Sequence, residues 1–254
     1  MRKAIPLIIL AVGLVSFFSD PRVSHHKVLA QPQASPTEEP RFTTPPGEET
    51  REIKDLIDKA QASLSSGRTN NNLLTEPGFM PAHEWPRFRK LIREYAKANQ
   101  TTIVIPQEPG QPLLVSGTIR NKRGQPIKGA LIYVYQTSSK GWYSDKAPHI
   151  SGMAGDEKHA RLFGYMRTNQ SGEYELRTIR PAGYPRSILP AHIHIEIEVG
   201  GDEPGSLISE ILFEDDPRLT PEARERAMRE RLPIFPVQRV ANGAQRVRAD
   251  FQIQ

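Results

Sequence analysis

The chain of 254 residues contains no cysteine. Disulfides and thiolate-bound metals are therefore excluded, and any metal site must use oxygen and nitrogen ligands. Long apolar runs are also rare. The one extended run without a charged residue is at residues 4–18. Arg2 and Lys3 precede that stretch, so the N-terminus resembles a secretory signal. The sequence predicts an exported protein held together by its own hydrophobic core.

Two fates of this signal are compatible with the sequence. Val28-Leu29-Ala30 offers small residues for cleavage before Gln31, which would make residues 1–30 a signal peptide. Without cleavage, residues 4–18 would stay as a membrane anchor. Residues 31–50 are rich in Pro, Thr and Glu without apolar periodicity, and they predict a disordered linker. Both fates place the folded part in the periplasm or outside the cell.

An excess of charge of one sign is also nearly absent. The formal net charge is +5, and residues 1–30 account for +3 of it. The charged residues of that segment are Arg2, Lys3, Asp20, Arg22 and Lys27. The remaining chain carries only about +2, with Lys and Arg interleaved with Asp and Glu. We therefore expect no binding to nucleic acid.

Hydrophobic periodicity divides the rest of the chain at about residue 105. Residues 51–105 form a predicted helical extension, with amphipathic helices over 52–64 and 84–98. These helices pack on the chain's own core or form the contact of a homodimer, and the sequence favours neither. Residues 106–254 show the period of two that is typical of an antiparallel β-sandwich. The predicted strands are 113–120, 130–136, 163–168, 173–178, 192–199, 207–213 and 247–253. The fold class is thus an all-β core with peripheral helices on the N-terminal side and one late helix at 221–231.

The strand HIHIEIEV at 192–199 carries two histidines on one face. Alternation sends its isoleucines to the opposite face, so His192 and His194 emerge side by side. Such a pair can chelate one metal ion, although a solvated polar face with two incidental histidines fits the pattern equally well. Two tyrosines, Tyr143 and Tyr184, lie in glycine-containing turns before this strand. By spacing alone they add little, because a lone loop tyrosine usually serves packing.

Three segments in this order resemble the intradiol ring-cleavage dioxygenases, the family that cleaves catechol and protocatechuate. They are GWY at 141–143, TIRPAGYP at 178–185 and PAHIH at 190–194, within a similarity over roughly residues 110–215. The resemblance implies a non-haem Fe(III) centre with Tyr143, Tyr184, His192 and His194 as ligands, where Tyr184 leaves when the substrate binds. It also implies that a catecholic substrate and O2 give a muconate-type diacid without an organic cofactor or reductant.

Charge balance explains why such a centre would use these residue types. Fe(III) prefers anionic oxygen, and metal binding lowers the pKa of a phenol from its ordinary value of about 10. Two tyrosinates and one hydroxide neutralise the three charges of the ion. One tyrosinate and a dianionic catecholate do the same, so the centre stays neutral in an apolar pocket.

The sequence departs from the family pattern at two positions. Leu189 stands where the family usually has arginine, and Glu210 stands where it usually has glutamine. Arg186 is the nearby candidate to replace that arginine as a catalytic residue, and the alternative is an ordinary exposed loop arginine. His149 and His159, in a long polar insertion, are candidate acid–base groups or ordinary surface histidines.

Three hypotheses about function follow. The first is an exported Fe(III) intradiol dioxygenase, which we adopt. The second is a non-catalytic module of the same fold that binds iron or a catechol, favoured by Leu189 and Glu210. The third is a divalent-metal hydrolase that uses His192, His194 and either Glu196 or Glu210. The third hypothesis leaves both tyrosine loops unexplained.

Overall fold

The computed structural model describes residues 48–144, 160–185, 187–201, 204–240 and 243–253. Several sequence-based predictions lie outside these residues. They are the signal or anchor at 1–30, most of the linker, the candidate acid–base groups His149 and His159, and the candidate catalytic residue Arg186.

Two β-sheets pack face to face and confirm the predicted all-β sandwich. The strands are β1 Gln100–Thr102, β2 Pro112–Arg120, β3 Leu131–Gln136, β4 Leu162–Arg167, β5 Glu173–Ile179, β6 His192–Val199, β7 Gly205–Phe213, β8 Ile234–Phe235, β9 Val237–Arg239, β10 Gln245–Arg248 and β11 Phe251–Gln252. One sheet has the order β1-β5-β2-β10-β9, with β11 also on β2, and the other has the order β4-β3-β6-β7-β8.

Among the strands that the structure describes, five pairs are antiparallel, as the sequence predicts, whereas four pairings are parallel: β1 with β5, β7 with β8, and both β10 and β11 with β2. The last predicted strand, 247–253, is divided into β10 and β11. The division has a local cause, because the carboxylate of Asp250 accepts a hydrogen bond from the Thr118 backbone N–H at 2.7 Å. A side-chain carboxylate thus replaces a backbone carbonyl as the hydrogen-bond acceptor at this point of the pairing with β2.

Helices pack on the outer face of one of the two sheets. Their bounds are α1 Arg51–Ser65, α2 Asn70–Thr75, a 3₁₀ helix Pro77–Ala82, α3 Pro86–Glu94 and α4 Pro221–Glu230. The sequence predicts α1, α3 and α4 but neither α2 nor the 3₁₀ helix, each of which has only six residues. Helix α3 ends at Glu94, before the predicted Ala98, and the chain that follows contacts the sandwich, where the Arg167 N–H donates to the Ala98 carbonyl at 2.8 Å. Within the described ranges, no helix combines the length and apolarity that crossing a bilayer requires.

Two hydrophobic clusters stabilise this arrangement. The first fills the space between the sheets and includes Ile193, Ile195 and Ile197 of β6. The second lies on the outer face of the β4-β3-β6 sheet, where α1, α3 and the 3₁₀ helix pack through residues such as Phe88 and Phe163. The apolar stripes of the N-terminal helices are therefore buried within the chain itself.

His83, which follows the 3₁₀ helix, is a buried titratable group of the second cluster. Its ring stacks on Phe88 at a centroid distance of 5.3 Å, and Nδ1 lies 3.2 Å from the Arg161 carbonyl oxygen. Since a carbonyl oxygen only accepts, Nδ1 carries the hydrogen, and Nε2 has no partner within the described residues. Burial lowers the pKa of His83 to about 4. The folded protein therefore holds this imidazole neutral.

This burial predicts a loss of stability in mild acid. The unfolded chain protonates His83 near pH 6.5 and the folded chain only near pH 4, so the unfolded state binds more protons between these values. The free energy of unfolding should fall by roughly 3 kcal/mol across this window through His83. Urea denaturation from pH 7 to pH 4 should show a shallower pH dependence for His83→Leu than for the wild type. Equal slopes for the two proteins would contradict the assignment.

Candidate metal centre

Strand β6 presents both histidines on the outer face of its sheet, as alternation predicts. Ile193, Ile195 and Ile197 are buried in the inter-sheet core, so the side chains of His192 and His194 must point the other way. Because β6 lies between β3 and β7, its register is fixed on both sides. The position of the histidine pair is therefore set by packing of the isoleucines.

The two loop tyrosines meet this histidine pair. Tyr143 Oη lies 2.5 Å from Tyr184 Oη and 2.8 Å from His194 Nε2. Tyr184 Oη lies 2.9 Å from His192 Nε2 and 3.4 Å from His194 Nε2, and the two Nε2 atoms are 3.1 Å apart. The structure thus brings together all four predicted metal-ligand residues. Their role as ligands stays a prediction.

Close backbone contact between two loops places the tyrosines. The Thr137 hydroxyl donates to the Ala182 carbonyl at 2.7 Å, and the Ala182 N–H donates to the Ser138 carbonyl at 3.1 Å. Gly141 has a φ of 78°, and a Cβ there would lie 2.4 Å from the Gly183 carbonyl oxygen. Glycine at 141 therefore serves both the turn and the approach of the Tyr184 loop.

A second set of polar contacts fixes the segment between Tyr184 and β6. The Arg218 guanidinium donates to the Tyr184 carbonyl at 3.0 Å. Asp216 accepts from the Arg218 N–H at 2.8 Å and from the Ala191 N–H at 3.1 Å. This contact network joins the turn after β7 to both ends of the loop that carries Tyr184.

The tautomer of His192 leaves a lone pair aimed at Tyr184. His192 Nδ1 lies 2.8 Å from the Pro190 carbonyl oxygen, so Nδ1 carries the hydrogen and Nε2 has the lone pair. His194 stacks against Tyr135 at a centroid distance of 4.4 Å and an interplanar angle of 10°, which restrains the orientation of its ring.

Glu210 approaches the other nitrogen of His194. Its Oε1 lies 3.8 Å from His194 Nδ1, and the two residues are paired across β6 and β7. Glu210 therefore lies on the Nδ1 side of His194, whereas Nε2 faces the tyrosines. His192, His194 and Glu210 do form a group of metal-ligating side chains, and within the described residues Glu196 does not join it. A hydrolase site built on this carboxylate set would leave both tyrosines, which contact the same two imidazoles, without a role.

The donor set fits a hard trivalent cation. Ligand atoms with bonds of about 2 Å to one ion lie roughly 3 Å apart at right angles, which matches the spacing of the four donor atoms. Two phenols can supply anionic oxygen and two imidazoles neutral nitrogen, a combination that suits Fe(III).

Comparison with known proteins identifies a family that this chain matches. The model of a family described as Dioxygenase matches residues 84–254 of the chain. Residues 84–254 contain all four side chains. The chain belongs to the intradiol ring-cleavage dioxygenase family.

Individual family members are similar over shorter stretches. Catechol 1,2-dioxygenase 1 of Acinetobacter lwoffii is 30% identical over 128 residues, which is 44% of this chain and 39% of the relative. Chlorocatechol 1,2-dioxygenase of Rhodococcus opacus is 32% identical over 129 residues, 44% of this chain and 47% of the relative. The chain thus spans less than half the length of these curated relatives. A solved structure, the dioxygenase domain of a dioxygenase–carbohydrate-binding protein fusion from Streptomyces sp. SirexAA-E, is 24% identical in sequence. The match covers 62% of this chain and 88% of that chain, with a TM-score of 0.47.

In this intradiol dioxygenase family member, a cavity of about 230 Å³ borders three of the four side chains. Tyr184, His192 and His194 line it, whereas Tyr143 is 2% exposed and is not among the described lining residues. Both departures from the family pattern, Leu189 and Glu210, line the cavity as well. They therefore lie where they can affect what binds there.

Sequence reasoning missed three contributors to this site. The sequence gives one indication for Tyr135, because it lies two residues from Tyr133 and so shares one face of its strand. Its contact with His194, however, depends on the register between strands. Arg218 carries no motif. Helix α4 was predicted, yet its position against the cavity, through residues such as Arg226, follows only from the tertiary structure.

The loop contact at Gly141 generates a prediction with a matched control. Gly124 has the same φ of 78°, but a methyl group added there would meet nothing within 4 Å, so Gly124→Ala should cost only about 1–2 kcal/mol of backbone strain. Gly141→Ala adds the clash with Gly183 and should cost roughly 1–3 kcal/mol more. Urea denaturation of both variants measures the difference. Equal losses would show that the two tyrosine loops do not depend on this approach.

Proposed function

We propose that the protein is an Fe(III)-dependent intradiol dioxygenase that opens a catecholic ring with O2 to give a muconate-type diacid. The convergence of two phenol oxygens and two imidazole nitrogens within 2.5–3.4 Å supports this proposal. The diol and O2 together contain all atoms of the diacid, so the reaction needs no reductant. We also propose a location outside the cytoplasm, because residues 1–30 resemble a secretory signal.

The proposed iron site uses Tyr143, Tyr184, His192 and His194. When bound, Fe(III) would draw electron density from the diol and make its ring reactive towards O2. The chain's contribution is to supply two lone pairs on nitrogen and two phenols that give up their protons. His192 is preset for this task, because its Nδ1–H is held by the Pro190 carbonyl.

The two tyrosines have different surroundings, and this difference suggests separate roles. Tyr184 lines the cavity, so its Oη can accept a proton from a substrate hydroxyl. Tyr143 is enclosed, and the backbone of its loop is fixed by a hydrogen bond from the Arg161 N–H to the Tyr143 carbonyl at 2.7 Å. We assign Tyr184 to proton exchange with the substrate and Tyr143 to permanent ligation.

The cavity wall supplies a water-poor environment around the substrate. Its apolar part consists of Leu189, Pro190, Leu212, Ala223, Ala227 and Leu232. An apolar wall favours a neutral assembly and strengthens the electrostatic contacts inside. Leu189 stands where the family usually has an arginine, whose positive charge could face the substrate ring. If the reaction uses such a charge, another element of this chain must supply it.

Replacing the tyrosines tests the ligand assignment. The iron-loaded wild type should be red-brown through charge transfer from tyrosinate to iron, and Tyr143→Phe should remove most of this absorption. Tyr165→Phe is the control, because Tyr165 belongs to the same aromatic cluster and its ring stacks on Tyr133, away from the four donor atoms. Visible spectra and iron content of the three proteins give the answer. A colourless, iron-free wild type after loading with excess iron would contradict the proposal.

Oxygen uptake distinguishes the proposed enzyme from a binding module of the same fold. The apolar Leu189 beside the centre favours the module. The enzyme should consume one O2 for each ring opened, measured with an oxygen electrode and a panel of catechols, and Tyr184→Phe should slow turnover. A coloured protein that binds catechol without consuming O2 would establish the module instead.

A further inference from the structure

Two buried side chains form an ion pair next to the Tyr143 loop. The Arg161 guanidinium donates to both carboxylate oxygens of Glu108, from Nη1 to Oε2 and from Nη2 to Oε1, each at 2.7 Å. The side chain of Arg161 is 8% exposed and that of Glu108 is 4% exposed. Glu108 lies in the loop between β1 and β2, where its N–H donates to the Ile105 carbonyl at 3.0 Å. The ion pair therefore joins this loop to the residue that precedes β4.

Arg161 connects the ion pair with Tyr143. The pairing of β3 with β4 ends at Gln136 and Leu162, so Arg161 lies one residue beyond it. There its backbone N–H donates to the Tyr143 carbonyl at 2.7 Å. The turn 138–142 closes through a backbone hydrogen bond of 2.9 Å between its two ends, so Tyr143 lies one residue beyond that turn. The hydrogen bond from Arg161 to Tyr143 thus joins two segments just past their regular pairing.

Two further contacts hold the same segment from the helical side. Arg89 of α3 donates to the Ala160 carbonyl at 2.8 Å, and His83 Nδ1 donates to the Arg161 carbonyl at 3.2 Å. Both contacts act on backbone carbonyls, whereas Glu108 holds the Arg161 side chain from the loop between β1 and β2. If the ion pair is removed, the helical contacts remain. We therefore expect the segment to shift without unfolding.

Position explains this ion pair better than stability does. The attraction within a buried pair roughly offsets the cost of taking two charges out of water, and apolar side chains of similar volume are often equally stable. Two parallel hydrogen bonds, however, fix the distance and the orientation of a guanidinium, which apolar contacts do not. Tyr143 requires a precise position, because its Oη lies 2.5 Å from Tyr184 Oη and 2.8 Å from His194 Nε2. A metal-binding constellation tolerates displacements of only about 0.5 Å.

We propose that the Glu108–Arg161 ion pair holds Tyr143 in place among the four donor side chains. Both residues are positioning residues, because they act on the site through the backbone of Tyr143. The inference rests on the proposed function where it concerns iron, but the hold on the Tyr143 loop can be measured without a metal. It gives Tyr143 an attachment to β4 that does not run through the loop of Tyr184.

The experiment removes the whole ion pair instead of one charge. A single replacement would leave one buried charge without its partner, whereas Glu108→Leu/Arg161→Met removes both charges at similar volume and should keep the fold. The control variant, Glu76→Leu/Arg68→Met, carries the same substitutions in an exposed ion pair of 2.6 Å beside α2. Thermal unfolding of the full-length wild type and both variants checks that all three proteins are folded.

Amide hydrogen exchange tests the hold in the metal-free proteins. The amide of Arg161, which donates to the Tyr143 carbonyl, should exchange about tenfold faster or more in Glu108→Leu/Arg161→Met, because its hydrogen bond opens more often. The control variant should keep the wild-type rate. The amides of β6, which lies between two strands, serve as the internal reference. An unchanged exchange rate at residue 161 in the test variant would overturn the inference.

Iron binding tests the consequence for the proposed centre. Competition with a chelator should give a dissociation constant for Fe(III) that is roughly tenfold higher or more in the test variant, as for other residues that orient a metal ligand. Because the ion pair acts through Tyr143, this increase should disappear when the test substitutions are combined with Tyr143→Phe and persist when they are combined with Tyr184→Phe. An equal increase in both backgrounds would show a general loosening of the site and overturn the inference.

The remaining outcomes separate this inference from the proposed function. Faster exchange at Arg161 with an unchanged dissociation constant for Fe(III) would show that Tyr143 keeps its place without the ion pair, which overturns the inference and leaves the enzyme standing. A wild type that takes up no iron would contradict the proposed function alone. Hydrogen exchange would then decide on the ion pair by itself, since it needs no metal.

Discussion

The candidate centre depends on the alternation of one strand, β6. Three isoleucines of this strand fill the core between the sheets, and the intervening histidines consequently lie on the outer face. Burial of each isoleucine contributes about 1.5–3 kcal/mol, whereas a slip by one residue would reverse both faces. Since β3 and β7 flank β6, the slip is blocked on two sides. Hydrophobic packing therefore holds His192 and His194 in place without a metal ion.

The tyrosine half of the centre follows a different physical rule. Tyr143 and Tyr184 lie in loops, where no strand register can position them. Backbone contacts do this instead: the near approach of Gly141 to Gly183, and the hydrogen bond from Arg218 to the Tyr184 carbonyl. Such contacts are local and polar, so this half is the part that single substitutions can displace while the sandwich persists.

Hydrophobic periodicity in the sequence predicts most of the fold and one half of the candidate site. The sandwich, helices α1, α3 and α4, and the shared face of His192 and His194 all follow from apolar spacing. The meeting of Tyr143 with this face was predicted only from resemblance to a family, because nothing local relates the two segments. Tyr135 and Glu210 lie opposite His194 through inter-strand register, which a single sequence does not reveal. Edge strands of two or three residues are too short to show any period.

The N-terminal helices also contribute to the centre, through a buried cation. Arg89 of α3 lies 3.9 Å from the centre of the Phe163 ring and donates to the Tyr133 hydroxyl and, at 2.8 Å, to the Ala160 carbonyl. Tyr133 stacks in turn on Tyr135, the ring that packs against His194. Arg89 thus joins α3 to the aromatic stack and to the residue before Arg161, whose backbone fixes the Tyr143 loop. Helix α3 lies within the family match, which begins at residue 84, and α1 lies before it.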